Sequence, residues 1–343
     1  MLSETDPDLR LGWRRGARWT AFLTSGCHID EATVVTALVP KLRGRDVRES
    51  ALSEYRGLRQ DYLAARRTLK EARESLKKRG LRGNELKEAR LRDLTPLEET
   101  LETRRRDFLN KLRDAVPYLA LSVGDKIELD ADEFRDKARE FLEQYEEDPF
   151  AIRMLASFAT EENHETRCRR TEFDFVDSSG QLAFLKAVRE LTGKVTEEKV
   201  RGCLFLPWKR ADERLSLRFD PVEDRRYALL DRDPTASDNK SRSEWMANIL
   251  AFHALRFFPC ALTASGPATT GWSTRAKPPR FTWPIWQHPL APDTVRSLLS
   301  LPELHLDGPP SYLRLYGVSA AYRSTRVENG DYLNFSPASA VFS

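Results

Sequence analysis

Between Arg48 and Arg113 the apolar residues follow a heptad pattern that leaves the chain little freedom of fold. Tyr55, Tyr62, Leu69 and Leu76 recur at every seventh position, and Leu58, Ala65 and Ala72 form the interleaved second row. This is the a/d seam of one helix about four heptads long. A seam so narrow covers one partner helix. The next segment supplies it, because Leu94, Leu97, Leu101, Phe108 and Leu112 share a face after the break Arg79-Gly80-Leu81-Arg82-Gly83-Asn84. Two helices joined by a glycine-containing turn form an antiparallel hairpin. Arms of roughly 30 residues reach about 45 Å at 1.5 Å per residue.

Charge singles out the same segment. Arg48 to Arg113 holds 19 Lys+Arg against 12 Asp+Glu, a surplus of 7. Around the turn, Lys77, Lys78, Arg79, Arg82, Lys87, Arg90 and Arg92 face Glu85 and Glu88 as the nearby acids. Glu128 to Asp148 reverses the balance, with 10 acids against 3 bases. A positive arm and a negative patch point to polyanion contact at one place and to protein or self contact at another.

The rest of the chain reads as a mixed body. With 343 residues, 40% of them hydrophobic and 32% charged, it can bury a core without staples. Trp19 to Leu23 reads as a strand and Ala32 to Val39 as a short helix. Tyr118 to Val123 reads as a strand, Ala131 to Tyr145 as an acidic amphipathic helix, and Phe173 to Val176 as a further strand. The serines of Ser178-Ser179-Gly180-Gln181 are N-caps for a helix over Leu182 to Leu191, and Thr196 caps another. From Cys203 onward, apolar runs such as Leu204 to Leu206 and Leu215 to Phe219 alternate with prolines and turns, interrupted by a helix from about Ser243 to Phe257. Phe281 to Trp286 and Tyr312 to Phe342 read as strands, the latter with an Asn329-Gly330 hairpin turn. The expected fold class is α+β, a β-rich body with a protruding antiparallel helical hairpin. The expected divisions are 1–47 as the N-terminal part of the body, 48–115 as the hairpin, 116–200 as a mixed α/β segment, and 201–343 as a β-rich C-terminal domain.

Catalytic signals are thin. Asp220, Glu223, Asp224, Asp231 and Asp233 could hold Mg²⁺ for phosphodiester cleavage, but Arg218, Arg225, Arg226 and Arg232 are interleaved with them, the pattern of salt-bridged turns. Asn163-His164-Glu165 has no second histidine nearby, and it reads as a solvated loop. There is no G-x-S-x-G, no Walker-type loop and no G-x-G-x-x-G. Cys27, Cys168, Cys203 and Cys260 lie far apart and read as reduced, buried thiols. A non-enzyme without a cofactor is the expectation. No segment approaches the roughly 20 apolar residues of a bilayer span, and Met1 to Arg18 has no secretory h-region, so a cytoplasmic location is expected.

Beyond the turn, basic residues recur at Arg225 with Arg226, Lys240 with Arg242, Arg275 with Lys277, and Arg323 with Arg326. Asn239, Trp272, Trp283 and Tyr322 lie near them in sequence. Such a series suits a groove that tracks phosphates and supplies stacking surfaces. Ser179-Gly180-Gln181 at a helix start would offer backbone N–H groups to a phosphate and an amide to a base edge. The candidate nucleic-acid contacts are therefore Lys77, Lys78, Arg79, Arg82, Gln181, Arg225, Arg226, Asn239, Lys240, Arg242, Arg275, Lys277, Arg323 and Arg326.

Several stretches taken together carry a resemblance. They are Ser179-Gly180-Gln181 with Phe184-Leu185-Lys186, Asp220-Pro221-Val222-Glu223-Asp224-Arg225-Arg226-Tyr227-Ala228-Leu229, Asn248 through Ala254-Leu255 to Phe258-Pro259, and Gly317-Val318 with Ala321-Tyr322-Arg323-Ser324. As a set, spanning roughly 173 to 337, they resemble CRISPR-associated proteins of the type I U or G group, and the role there looks like the large subunit of a Cascade complex. The resemblance implies an RNA-guided complex in which this subunit contacts the motif adjacent to the target, helps open the duplex and receives a helicase-nuclease. Its partners would be guide RNA, target DNA and the other Cascade subunits. In such assemblies guide pairing reads sequence, while protein reads the short adjacent duplex and the backbone. Two alternatives stand beside it: an adaptor that docks partners through the hairpin, and a metal-dependent nuclease using the Asp220 to Asp233 carboxylates.

Overall fold

In a computed structural model of the chain, the described residues are 2, 6–162, 167–177, 183–220, 242–274 and 277–343. The fold is α+β. It divides into two compact units, one formed by Met1–Gly44 with Asp125–Ser343, the other by Arg45–Gly124. No helix among the described residues is long and apolar enough to cross a membrane.

The first unit opens with strands β1 (Arg10–Arg15) and β2 (Trp19–Thr24), a hairpin in register Arg15↔Trp19 through Arg10↔Thr24. Helix α1 (Glu31–Arg43) follows, capped by Asp30, whose carboxylate accepts from the Thr33 amide at 2.8 Å. Of this hairpin the sequence showed the second strand. β1 was hidden because arginines occupy its free positions.

The second unit consists of α2 (Glu49–Lys78), α3 (Gly83–Asp93) and α4 (Thr95–Leu112). Every predicted seam position of α2 is buried or half-buried. Phe108 of α4 lies between two of them, its ring centroid 5.4 Å from both Tyr55 and Tyr62. Farther along, Leu69, Leu76, Ala89 and Leu94 form one cluster. The partner strand of the hairpin differs from expectation in being two helices broken at Leu94. Pro96 explains the break, since it has no N–H to donate and starts the first turn of α4. Where the chain enters and leaves, the Arg45 guanidinium donates to the carbonyls of Val116 at 3.2 Å and Arg113 at 2.5 Å. Leu119–Val123, expected as a strand, is a fully buried 3₁₀ turn. A continuous apolar run carries no period, so it cannot distinguish the two.

The first unit resumes with α5 (Ala131–Glu143), closed by a reciprocal capping box of Asp130 and Glu133. Next come α6 (Pro149–Phe158) and the short pair β3 (Ala159–Thr160) and β4 (Arg169–Arg170). Thr171 to Asp177 is buried but is not the expected strand. Asp174 accepts from the amides of Val176 and Asp177 at 3.3 and 3.0 Å, which turns the backbone locally instead of leaving it for a ladder. Phe173 and Phe175 then enter an aromatic core with Trp272, Phe281 and Phe335 at centroid distances of 4.8–6.0 Å.

Helices α7 (Phe184–Thr192) and α8 (Glu197–Phe205) come next, the second capped by Thr196 as expected. β5 (Asp212–Glu213) pairs with β6 (Arg242–Ser243), followed by α9 (Trp245–Ala254). Leu215 to Phe219 forms no strand. Leu215 and Arg218 have φ of 53° and 63°, a conformation outside the β region, and the Leu217 amide bonds the Asn248 side chain at 2.7 Å. A hairpin of β7 (Cys260–Thr263) and β8 (Gly266–Thr269) precedes β9 (Trp272–Ser273) and β10 (Arg280–Trp286). After α10 (Pro292–Leu299) the chain ends in β11 (Val318–Asn329), β12 (Tyr332–Phe335) and β13 (Ser339–Phe342).

The five-stranded sheet runs β12-β11-β10-β9, with β13 also on β11. The expected Asn329-Gly330 turn joins β11 to β12, with Gly330 at φ 58°. Pro284 sits inside β10, where β9 no longer pairs, so its missing N–H breaks no ladder bond. The N-terminal ribbon joins the sheet here. Leu11 bridges Leu290, and the Trp286 indole donates to the Leu11 carbonyl at 2.7 Å. All four cysteines are free. Cys203 is buried, Cys168 and Cys260 are half-buried, and Cys27, against expectation, is exposed.

Phe108→Ala removes two ring contacts at a fully packed position, a change that costs about 3 kcal/mol. Hydrogen exchange of the intact chain should show amides of Glu49–Leu112 losing protection by that amount. Amides of the sheet report the other unit and should be unaffected.

Candidate nucleic-acid interface

The turn between α2 and α3 is shaped by two glycines in the left-handed region, Gly80 at φ 66° and Gly83 at φ 57°. Gly80 ends α2 with its N–H on the Lys77 carbonyl, a stop that a side chain would strain. Cations in the last turn of a helix complement its dipole, which accounts for some of the charge here. It does not account for the cations beyond the turn. Lys77, Lys78, Arg82, Lys87 and Arg90 are all exposed, and none has an ion-pair partner among the described residues. The fourth expected contact behaves differently. Arg79 is held by Asp93 at 2.8 Å, an acid that also takes Arg92 at 2.8 Å. The guanidinium groups of Arg92 and Arg79 together keep the Asp93 carboxyl below the usual range.

Along the rest of the hairpin, acids and bases pair across the seam. Lys111 meets Glu54 at 3.0 Å, Arg104 meets Asp61 at 3.9 Å, and Arg73 meets Glu98 at 2.7 Å. The turn is thus a dense group of cations left without such pairs among the described residues.

In the other unit the expected contacts divide sharply. Arg242 and Lys277 are exposed. Arg323 is not available: its guanidinium lies inside the sheet region, donating to Thr282 Oγ1 at 3.0 Å and to the carbonyls of Leu304 and Leu306 at 2.9 and 2.8 Å. Arg326 is likewise held, by the buried carboxylate of Glu172 and by Glu328 at 2.8 Å. Both are struts of the fold, a correction that follows from a guanidinium's capacity to satisfy several buried acceptors at once. The expected stacking platforms are also used internally. Trp272 is buried in the aromatic core, and Tyr322 stacks on Trp283 at 6.2 Å while accepting from the Trp19 indole at 3.0 Å. Gln181, Arg225, Arg226, Asn239, Lys240 and Arg275 lie outside the described residues, as do Asn163-His164-Glu165 and the carboxylates Glu223, Asp224, Asp231 and Asp233. Asp220 is described, and it is bound by Arg210 at 2.6 Å.

The expected phosphate site at Ser179-Gly180-Gln181 lies outside the described residues. Helix α7 begins at Phe184, and its first amides are already occupied. Phe184 N–H donates to the Asp177 carboxylate at 2.7 Å, and Leu185 and Lys186 donate to the Asp125 carbonyl at 3.1 and 3.2 Å. The second Asp177 oxygen accepts from the Ile127 amide at 2.8 Å, so this carboxylate ties three segments together.

One basic feature was invisible in sequence. At the tip of the β1–β2 hairpin, Arg14, Arg15 and Arg18 are exposed, with Arg14 over Phe22 at 5.5 Å and Arg15 over Trp19 at 5.9 Å. The signal was the run Arg14-Arg15-Gly16-Ala17-Arg18, meaningful once Gly16 is known to stand in a two-stranded ribbon. Arginines beside aromatic rings present both a phosphate grip and a stacking face.

No protein-family model, no curated protein and no solved structure matches the chain.

Two outcomes test these assignments. Arg323→Met leaves the Leu304 and Leu306 carbonyls without donors, at a cost of about 2 kcal/mol, so urea unfolding should shift while the salt dependence of any polyanion binding does not. Burial first, and then the Asp174 charge, push the Asp177 carboxyl up to about 7. The folded state thus holds this proton where the unfolded state has released it, and its contribution to stability falls as pH rises from about 4 to about 7. Asp177→Asn should flatten that part of the melting-temperature profile.

Proposed function

We propose that the chain is a non-catalytic nucleic-acid-binding protein that grips the phosphate backbone through the α2–α3 turn. The observation that carries this reading is the group of five exposed cations, Lys77, Lys78, Arg82, Lys87 and Arg90, without ion-pair partners among the described residues and mounted on a packed helical scaffold. Such a group attracts polyanions by counterion release and carries no sequence code. The ribbon with Arg14, Arg15 and Arg18 supports the same reading from the other unit.

The resemblance of the 173–337 stretches makes the proposal more specific: the large subunit of a type I Cascade-like complex, working with guide RNA, target DNA and the other subunits, and receiving a helicase-nuclease in trans. An electrostatic grip is what such a role asks of protein, since base pairing with the guide supplies sequence selection. A second reading, an adaptor whose hairpin docks a protein, is favoured by the cleft described below.

Replacing Lys77, Lys78 and Arg82 with Ala should weaken binding to all duplex sequences alike and lower the slope of log K against log salt by about 3. An unchanged slope would remove the turn from the interface. No binding to duplex or single strands, with or without a guide complex, would instead select the adaptor.

A further inference from the structure

The turn end of the hairpin unit also contains a cleft. Its floor is apolar, formed by Leu76, Leu81, Leu86, Leu91 and Leu94, and its volume is ≈ 840 Å³. Leu91 is 60% exposed and Leu81 and Leu86 are half-buried, so water meets part of this leucine floor at a cost of about 25 cal/mol per Å². The rim is basic. Arg73, Lys77, Lys87 and Arg90 line it. Arg73 is engaged by Glu98, whereas the other three have no ion-pair partner among the described residues. An occupant that matches this site presents apolar side chains flanked by about three carboxylates.

The chain itself carries such a segment. At the end of α5, Leu142 is 59% and Tyr145 is 40% exposed. Glu143, Glu146 and Glu147 surround them, all exposed and none with an ion-pair partner among the described residues. The other acids of α5 are largely neutralised within the helix, Asp132 by Arg135 and Asp136 by Arg139. Three uncompensated glutamates around two exposed apolar side chains complement three uncompensated cations around a leucine floor.

We propose that the cleft receives the Leu142–Glu147 segment of a second copy of this chain. Leu142 and Tyr145 seat on the leucine floor, and the glutamates face Lys77, Lys87 and Arg90. Each copy offers both a cleft and a segment, so the contact is heterologous and propagates head to tail, either closing into a ring or extending. The contact is small and charge-rimmed, so association is reversible and sensitive to salt. Lys77 belongs to both surfaces, so self-association and polyanion binding compete.

A charge swap tests the proposal. In sedimentation velocity of the full chain at about 0.05 M salt, the weight-average mass should rise with concentration, and it should fall back toward that of the monomer at about 0.5 M salt. The variant Glu143→Lys, Glu146→Lys, Glu147→Lys and the variant Lys77→Glu, Lys87→Glu, Arg90→Glu should each associate roughly tenfold more weakly alone, and an equimolar mixture should recover association. The substituted side chains are exposed, and recovery on mixing also shows that both variants are folded. A wild-type chain that stays monomeric at low salt, or a mixture that fails to recover, overturns the proposal. The neutral variant Glu143→Gln, Glu146→Gln, Glu147→Gln leaves the hairpin untouched and adds no cation, so its duplex binding and salt slope, read at concentrations where the wild type is monomeric, separate this outcome from the fate of the nucleic-acid reading.

Discussion

The hairpin unit rests on one interdigitation, Phe108 of α4 set between Tyr55 and Tyr62 of α2. A chain with 32% charged residues has little apolar surface to spend on a long helix, so α2 buries a single narrow seam and leaves the rest of its circumference to water. That seam fixes the register of α4 against α2. Register in turn decides which charges meet. Glu54, Asp61 and Glu98 fall opposite Lys111, Arg104 and Arg73. Each exposed pair is worth only about 0.2–1 kcal/mol, but together they occupy three acids of the shaft. At the turn Asp93 is shared by Arg79 and Arg92, and among the described residues no acid pairs with Lys77, Lys78 or Arg82. The electrostatic polarity of the unit is thus a consequence of its packing.

The other unit treats its basic residues in the opposite way. Its centre is the buried segment Thr171–Asp177, whose aspartates organise the backbone while its phenylalanines fill the aromatic core. Buried acceptors accumulate around such an irregular segment, and arginines satisfy them. Arg218 donates to the Phe175 carbonyl at 3.2 Å, Arg326 holds Glu172, and Arg323 holds the Leu304 and Leu306 carbonyls. A buried acceptor left unmade costs about 1–3 kcal/mol, so these guanidinium groups are structural. Among the bases that remain outward are Arg14, Arg15 and Arg18 at the short ribbon tip, and Arg242 and Lys277.

Leu76, Leu81, Leu86 and Leu91 illustrate a further consequence of the break at Leu94. Two shorter helices spread the apolar face and leave a basic-rimmed cleft. The same residues therefore link the packing of the hairpin to its capacity for protein contact.

Sequence periodicity determined the α2 seam, the existence of a partner across the glycine turn, the acidic helix α5, the Thr196 cap, and the hairpin at Asn329-Gly330. These features depend on neighbours within a few residues, and local spacing reports them directly. Whether an arginine is a ligand or a strut is not a local property. Lys78 and Arg323 are both cations in basic stretches, but one is exposed and the other ends on three oxygens contributed by Thr282, Leu304 and Leu306. The same holds for Asp177, which accepts from the first amide of α7, and for Phe173 to Val176, whose alternation was overridden by aspartate turns. Only the tertiary structure could decide these points, because the free energy of a polar side chain depends on which acceptors and donors the distant chain brings within hydrogen-bonding reach.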